Sequence, residues 1–424
     1  MRRSFYLRWR LLVILSLPFC FSSCFRHDCI DHVAVKVYTP VFLDEIHWQV
    51  NPEFLSEKKI KNIGKVNAIG QYFFINEMLE GIHVIDNSNP TAPIPLGFIS
   101  IPGNIDFDTD GRFLYADSYA DLLTIDISNI RNPRLIQRKR NAFQHSLLEH
   151  NSRIIGHYVA KDSFVDFQCG VFTRNYMEDD GTYIAELGLN KGINDRRTGF
   201  RFFSGMSIGN GGPSSRILRS ENNFYTINGK DLGVGQIANN GTVDIHSLYT
   251  FDDLLEGFTH IGDFLGVIAQ SHSYFTKRNN SSSLNFTQPF FLLRWRSHFH
   301  GSNDSLWLSV QNGHFGEVGL FRLNEESVPL KMGTLFVDKP LEILKLGSFF
   351  IVCQGKEGFS VFELSNFNFG SSRLLLKHSG IHAKKIIRVD EHSFLIVSDS
   401  GLTQFELTLD NTVRHLSHIP FSNQ

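Results

Sequence analysis

The sequence predicts an all-β fold: a β-propeller of about seven four-stranded blades behind an N-terminal export segment. Three observations lead there. Short apolar runs recur at a period of about 40 residues, separated by Gly, Asn, Asp and Pro. No long amphipathic helical pattern follows the first 23 residues. The 424 residues include 39 Phe, an excess that suits pleated, half-buried surfaces. A lone four-stranded sheet cannot bury both faces, whereas a ring of such sheets packs face to face and leaves only short edges.

The copies justify the repeat one by one. The first reads Val66-Asn-Ala-Ile-Gly-Gln-Tyr72-Phe-Phe-Ile-Asn, then Gly81-Ile-His-Val-Ile-Asp86-Asn-Ser-Asn-Pro90. The second reads Ile105-Asp-Phe-Asp, Gly111-Arg-Phe-Leu-Tyr-Ala-Asp117, then Asp121-Leu-Leu-Thr-Ile-Asp126-Ile-Ser-Asn129. Each is strand, polar turn, strand, Gly or Asp turn, strand, and an Asn-Pro link. Phe224 to Ile227, Leu306 to Val310 and Gly319 to Leu323 keep the register with less of the motif. Phe349 to Cys353 with Gly358 to Asn366, and Phe394 to Asp399 with Gly401 to Leu407, restore it near the C-terminus. Weaker copies near residues 212, 256 and 298 complete the series. A β-sandwich would show similar strands without the recurrent Ile-Asp-x-Ser-Asn-x-x-x-Pro link.

Gly81 to Pro90, Leu123 to Asn129, and Ile101 to Ile105 with Leu114 to Leu122 carry a family resemblance. They resemble the LVIVD repeat of bacterial surface lipoproteins common among Bacteroidetes. The resemblance covers residues 60 to 135 and, with less detail, 340 to 410. It implies a propeller at the cell envelope and no assigned activity.

The N-terminus reads as an export signal over residues 1–23. Arg2, Arg3, Arg8 and Arg10 precede the apolar run Leu11 to Phe21. About eleven apolar residues are too few to cross a bilayer but fit a signal h-region. Ser22-Ser23-Cys24 then resembles a bacterial lipobox, with Phe21 where an aliphatic residue is usual; the resemblance makes Cys24 the lipidated N-terminus of the mature protein. Residues 24–58 are expected to be a lipidated tether and entry strand, with Val33 to Val37 able to close the ring. The propeller is expected over 59–424, interrupted by an insertion at 143–210. Cys29, Cys169 and Cys353 are too few and too scattered for a disulfide framework, and Cys353 reads as a buried apolar residue.

Composition excludes one class of partner. The net charge of −2, without a basic block, argues against nucleic acid. Asp106-Phe-Asp108-Thr-Asp110-Gly111, with Asp117 at the twelfth position, has the spacing of a calcium loop, although the same Asp-Gly also reads as a hairpin turn. His298-Phe-His300 would be half a zinc site, with His314, His378 and His382 able to join only through the fold. No nucleophile elbow, phosphate loop or local catalytic set is present, so no catalytic residue is assigned. The expected function is a non-catalytic binding or scaffold module, lipid-anchored at the outer membrane on its periplasmic or surface face, with a protein or glycan partner. The alternative is an envelope hydrolase or lyase with its site in the central channel.

Overall fold

The computed structural model describes residues 30–44, 49–56, 58–143, 149–151, 153–168, 175–177, 182–186, 215–269, 272–278, 284–286, 290–291, 297–302, 305–312, 315–363, 372–408 and 410–422. They are all-β, without a helix among them. The chain divides into two compact units, residues 1–41 with 157–195, and residues 42–156 with 196–424.

The larger unit is a succession of antiparallel sheets, each built from consecutive strands. The first holds Ile63–Ile69, Tyr72–Glu77, Gly81–Asp86 and Ile94–Ser100, with Glu53–Leu55 added at its outer edge. The second holds Phe107–Thr109, Phe113–Ser118, Asp121–Asp126 and Arg134–Lys139, and the third Ile217–Ser220, Asn223–Asn228, Asp231–Ile237 and Val243–Thr250. The fourth holds Leu255–Ile261, Phe264–Ala269, His272–Lys277 and Phe290–Phe291, and the fifth Ser297–Ser302, Ser305–Asn312, Phe315–Leu323 and Pro329–Phe336. Glu342–Leu346, Phe349–Cys353, Phe359–Glu363 and Arg373–His378 form the sixth; Lys385–Arg388, Ser393–Val397, Gly401–Leu407 and Val413–Pro420 form the last sheet described. The first strand of each sheet lies against the next sheet, and Lys385–Arg388 returns to Ile63–Ile69. Sheets in a closed ring, with their first strands as the inner wall, are a β-propeller.

Apolar side chains from facing sheets fill the gaps between them. Phe74, Val84 and Ile99 of the first sheet pack with Phe107, Leu114 and Leu123 of the second. Tyr115 packs on Phe224 between the second and third, at a ring-centroid distance of 5.1 Å. The ring closes in the same way. Phe73, Ile75 and Ile85 meet Leu395, Leu402 and Ile419, and the Ser422 N–H donates to the Ile60 carbonyl at 2.9 Å. Closure thus joins two complete sheets, and no strand is shared between them.

The repeat motif is mostly turn chemistry. The Asp86 carboxylate accepts the Ser88 N–H at 2.8 Å, and Asn89 accepts the Thr91 N–H at 3.2 Å. Asp126 and Asn129 do the same for Ser128 and Arg131. Such side-chain-to-backbone bonds fix the third-to-fourth strand turn. The motif glycine opens the third strand at a positive φ, 140° at Gly81 and 155° at Gly401. A β-carbon there would lie 2.1 Å from the Ile99 carbonyl oxygen or 2.2 Å from that of Ile419, so only glycine fits.

The smaller unit revises the expected organisation. Ile30–Leu43, the expected entry strand, is 14 residues long and does not pair with the last sheet. It lies between Arg153–Gln168 and Tyr183–Glu186, with Asn175–Met177 beyond, and its register is Val35 opposite Glu186 and Tyr38 opposite Tyr183. Lys36 faces Asp162 at 3.6 Å, and His32 pairs with Asp166. Ile30–Leu43 and the described strands of the 143–210 stretch therefore form one sheet. The second blade takes no strand from that stretch, since Arg134–Lys139 already completes its four; Phe143 only packs into its core.

Candidate functional site

Aligning the sheets on their second strands puts their inner strands in common register. Near the end where second strands turn into third strands, every sheet carries a titratable residue. In ring order these are Lys65, Asp106, Arg216, Glu256, His298, Glu342 and Lys385. The signs alternate from Lys65 through Asp106 and Arg216 to Glu256, which favours attraction between neighbours over repulsion. The contacts follow that order. Lys65 Nζ lies 3.1 Å from Asp106 Oδ1 and donates to the Ser215 hydroxyl at 2.8 Å. Asp106 Oδ2 accepts the Ser215 hydroxyl at 2.8 Å, the Arg216 N–H at 2.6 Å and the Ile217 N–H at 2.9 Å. Asp108 Oδ2 accepts the Arg219 N–H at 2.8 Å, and Glu342 Oε2 the Ile386 N–H at 3.0 Å. Inner strands have a free backbone edge facing the axis, and carboxylates of one sheet satisfy N–H groups of the next.

Burial sets the protonation of this wall. It pushes Glu342 up and Lys385 down, each held back in part by the other's charge. Burial also raises Asp108 and Glu256, and it lifts Asp117 to about 6 despite the adjacent Arg216. Asp117 is fully enclosed: Oδ1 accepts the Ile105 and Asp106 N–H groups and the Asn104 amide, and Oδ2 accepts Arg216 Nη1 at 2.9 Å. Beside it, Glu77 accepts the Lys61 N–H at 2.9 Å, the Asn62 N–H at 2.7 Å and His83 Nε2 at 3.1 Å. Burial would raise Glu77, but these bonds outweigh it and hold the carboxyl below its ordinary range.

The four aspartates with calcium spacing are not drawn round one point. Asp106 and Asp108 bind the third sheet, Asp117 pairs with Arg216, and Asp110 Oδ1 accepts the Arg112 and Phe113 N–H groups of its own turn. The hairpin reading describes Asp110-Gly111. Among the described residues, no three His, Cys, Asp or Glu side chains gather as a metal site. His298 and His300 stand opposite Ser309 and Trp307 in the fifth sheet. His378 packs on Phe359 and Phe405, and His382 bonds Asp399 at 2.6 Å, so these two do not converge. Cys353 is a buried free thiol; Cys24, Cys29, Cys169 and His314 lie outside the described residues.

The opposite end of the inner wall was not anticipated. One residue short of the first-to-second strand turn, the register positions are Ala68, Thr109, Arg219, His260, Gly301, Lys345 and Arg388. Arg219, His260, Lys345 and Arg388 are spaced by one, two and one repeat lengths. A search for charge recurring at the repeat period would have found them.

Closed sheets with these turns define a repeat β-propeller. The LVIVD repeat model matches residues 62–98 and 109–139, which lie in the first two sheets. No curated protein sequence matches the chain. Among solved structures, a protein from Lactobacillus plantarum shares 10% identity at a TM-score of 0.49, over 84% of this chain and 98% of its own. Kluyveromyces lactis Hsv2 shares 10% at 0.47, over 84% and 98%. The dihydro-heme d1 dehydrogenase NirN, solved with DHE, shares 10% at 0.48, over 92% and 74%. Likeness of this degree carries no information on chemistry.

Proposed function

We propose that the chain is a β-propeller lipoprotein of the bacterial cell envelope, anchored at the outer membrane through Cys24, and that it works as a non-catalytic binding or scaffold module for a protein or glycan. The observation that carries this reading is how the central carboxylates are used. Asp106, Asp108 and Asp117 are tied to backbone N–H groups and cations of the next sheet, as structural groups are, and do not converge on open space. The Ser22-Ser23-Cys24 sequence supports the anchor.

Two measurements test the proposal. Expressed in a Gram-negative host with an alkyne fatty acid, the wild-type chain should take up label and sediment with the outer membrane. Cys24→Ala should do neither, and label retained by that variant rejects the anchor. Crosslinking in intact cells should then return the same envelope component repeatedly; a chain that captures none is not a scaffold.

The reading of an envelope hydrolase or lyase draws on Glu342 and Lys385, a carboxyl and an amine whose charged forms are both disfavoured beside the axis. Hydrolysis or elimination of an envelope polymer by wild type, abolished in Glu342→Gln, would favour it over the scaffold.

A further inference from the structure

One side chain of the inner wall stands outside the ties between sheets. Asp106 and Glu342 reach N–H groups of the next sheet, and Lys65 reaches Asp106 and the Ser215 hydroxyl. Lys384 is tied to Asp399 in the same way. Lys385, by contrast, has no hydrogen-bond or ion-pair partner among the described residues. It is partly exposed on the strand that borders the axis, so solvent reaches it.

Strand alternation explains the isolation. Ile386 is buried with Leu344 and Phe359, between the sixth and seventh sheets. Ile387 and Val389 pack instead on the core that joins the last sheet to the first. Lys385 shares their side of the strand, away from Glu342, whose bond is to the Ile386 N–H. Its cross-strand neighbour Val397 belongs to that core, and Val66 and Ile75 supply the facing surface. A lysine so placed lays its stem along apolar surface and presents its amine at the open edge. Three charged groups act on that amine: Glu342 of the sixth sheet, Lys65 of the first and Asp106 of the second. Burial disfavours the ammonium form, Glu342 and Asp106 oppose the change and Lys65 adds to it, and the balance holds Lys385 below the ordinary lysine range. A partly desolvated amine near a second cation is the setting that makes lysine nucleophilic at neutral pH.

We infer that Lys385, unpaired at the axial edge of the core between the last and first sheets, is a carbonyl-binding site whose amine captures a small aldehyde or ketone as an imine. The nitrogen lone pair adds to the carbonyl carbon, a proton passes from nitrogen to oxygen through solvent, and loss of water leaves the C=N bond. No oxidant or reductant is needed, and hydrolysis returns amine and ligand unchanged. The inference rests on the binding-module reading and deepens it by naming a ligand class, and the anchor does not depend on it.

Glycolaldehyde is the probe, applied with sodium cyanoborohydride at pH 7 to the full chain in mild detergent. The hydride reduces each imine to a stable amine, and chymotryptic peptides read by mass spectrometry give the rate at every lysine. Lys385 should be labelled on the order of tenfold faster than the exposed Lys339 and Lys356, which serve as references in the same digest. The preference should vanish in guanidinium chloride, where the fold no longer sets the surroundings of the amine. Lys65→Gln removes the neighbouring cation and should slow Lys385 several-fold, with the two references unchanged. A Lys385 labelled no faster than the references overturns the inference, as does a preference that survives unfolding or a Lys65→Gln variant that is labelled faster. If selective labelling fails while crosslinking still returns an envelope component, the carbonyl site is rejected and the binding module stands.

Discussion

Replacing Glu77 by Gln tests how the ring is held at its seam. Glu77 is 1% exposed, and its two oxygens accept from two backbone donors, Lys61 to Oε2 and Asn62 to Oε1. Those donors belong to the segment whose Ile60 carbonyl receives Ser422, so the side chain braces the junction of first and last sheets. A glutamine presents one oxygen and one NH2, which leaves one backbone N–H facing another donor. It also removes the charge from the remaining bonds. Stranding a buried donor costs about 1–3 kcal/mol, and loss of charge assistance adds about 1 kcal/mol, for a total of about 2–4 kcal/mol. For a unit of this size that is a fall in Tm of about 3–6 °C at neutral pH, read by circular dichroism. The pH dependence follows from the lowered carboxyl. Because the folded group is more acidic than its ordinary value of 4.5, its stabilisation is complete above that value and is lost as pH falls through the lower folded one. Wild type and Glu77→Gln should therefore converge in acid. A Tm within about 1 °C of wild type at pH 7.5, or a gap that persists unchanged in acid, would refute the argument.

Other substitutions probe separate features. Asp106→Asn should cost about 2–3 kcal/mol, with faster hydrogen exchange at the Arg216 and Ile217 amides that its carboxylate holds; unaltered exchange there would count against the inter-sheet tie. Gly103→Ala should cost about 2 kcal/mol in denaturant unfolding, since φ is 75° and a β-carbon would meet the Tyr119 ring at 2.5 Å. Gln404→Leu should leave stability equal or raise it by about 1 kcal/mol, because the buried amide of Gln404 has neither atom hydrogen-bonded among the described residues. A clear loss in chemical denaturation would mean that this amide contributes.

The parts of the fold legible in the sequence are those written in local chemistry. Asp86, Asn89, Asp126 and Asn129 close turns with donors two residues away, so their spacing alone marks the third-to-fourth strand link. The fainter copies form the same turn with other residues. Thr408 and Thr412 close one, Asn324 another, and Asn240 a third, where its side-chain oxygen accepts the Thr242 N–H at 3.1 Å. The pairing of Ile30–Leu43 with Tyr183–Glu186 joins residues far apart in sequence, and no turn or period announces it. The four aspartates with calcium spacing have separate partners for a related reason. Spacing placed Asp106, Asp108, Asp110 and Asp117 on one hairpin, but alternation along the strands and partners in the third sheet decide where each carboxylate points. The basic residues Arg219, His260, Lys345 and Arg388 recur at the repeat period, but as single residues in the copies that keep least of the motif, so the turn chemistry does not point to them.

The seam has a consequence for how such a protein can change. Many closed rings are latched by a strand exchanged between first and last elements, and their repeat number is then locked by that latch. Here each sheet is a contiguous stretch of chain, and closure rests on Phe73, Ile75, Leu395 and Leu402 meeting across a gap like every other gap. Duplication or deletion of one repeat would remove or add a whole wedge without cutting a sheet. Gene-level copying errors of that size are thus tolerable to this architecture, and ring size is open to selection by whatever the axis must accommodate.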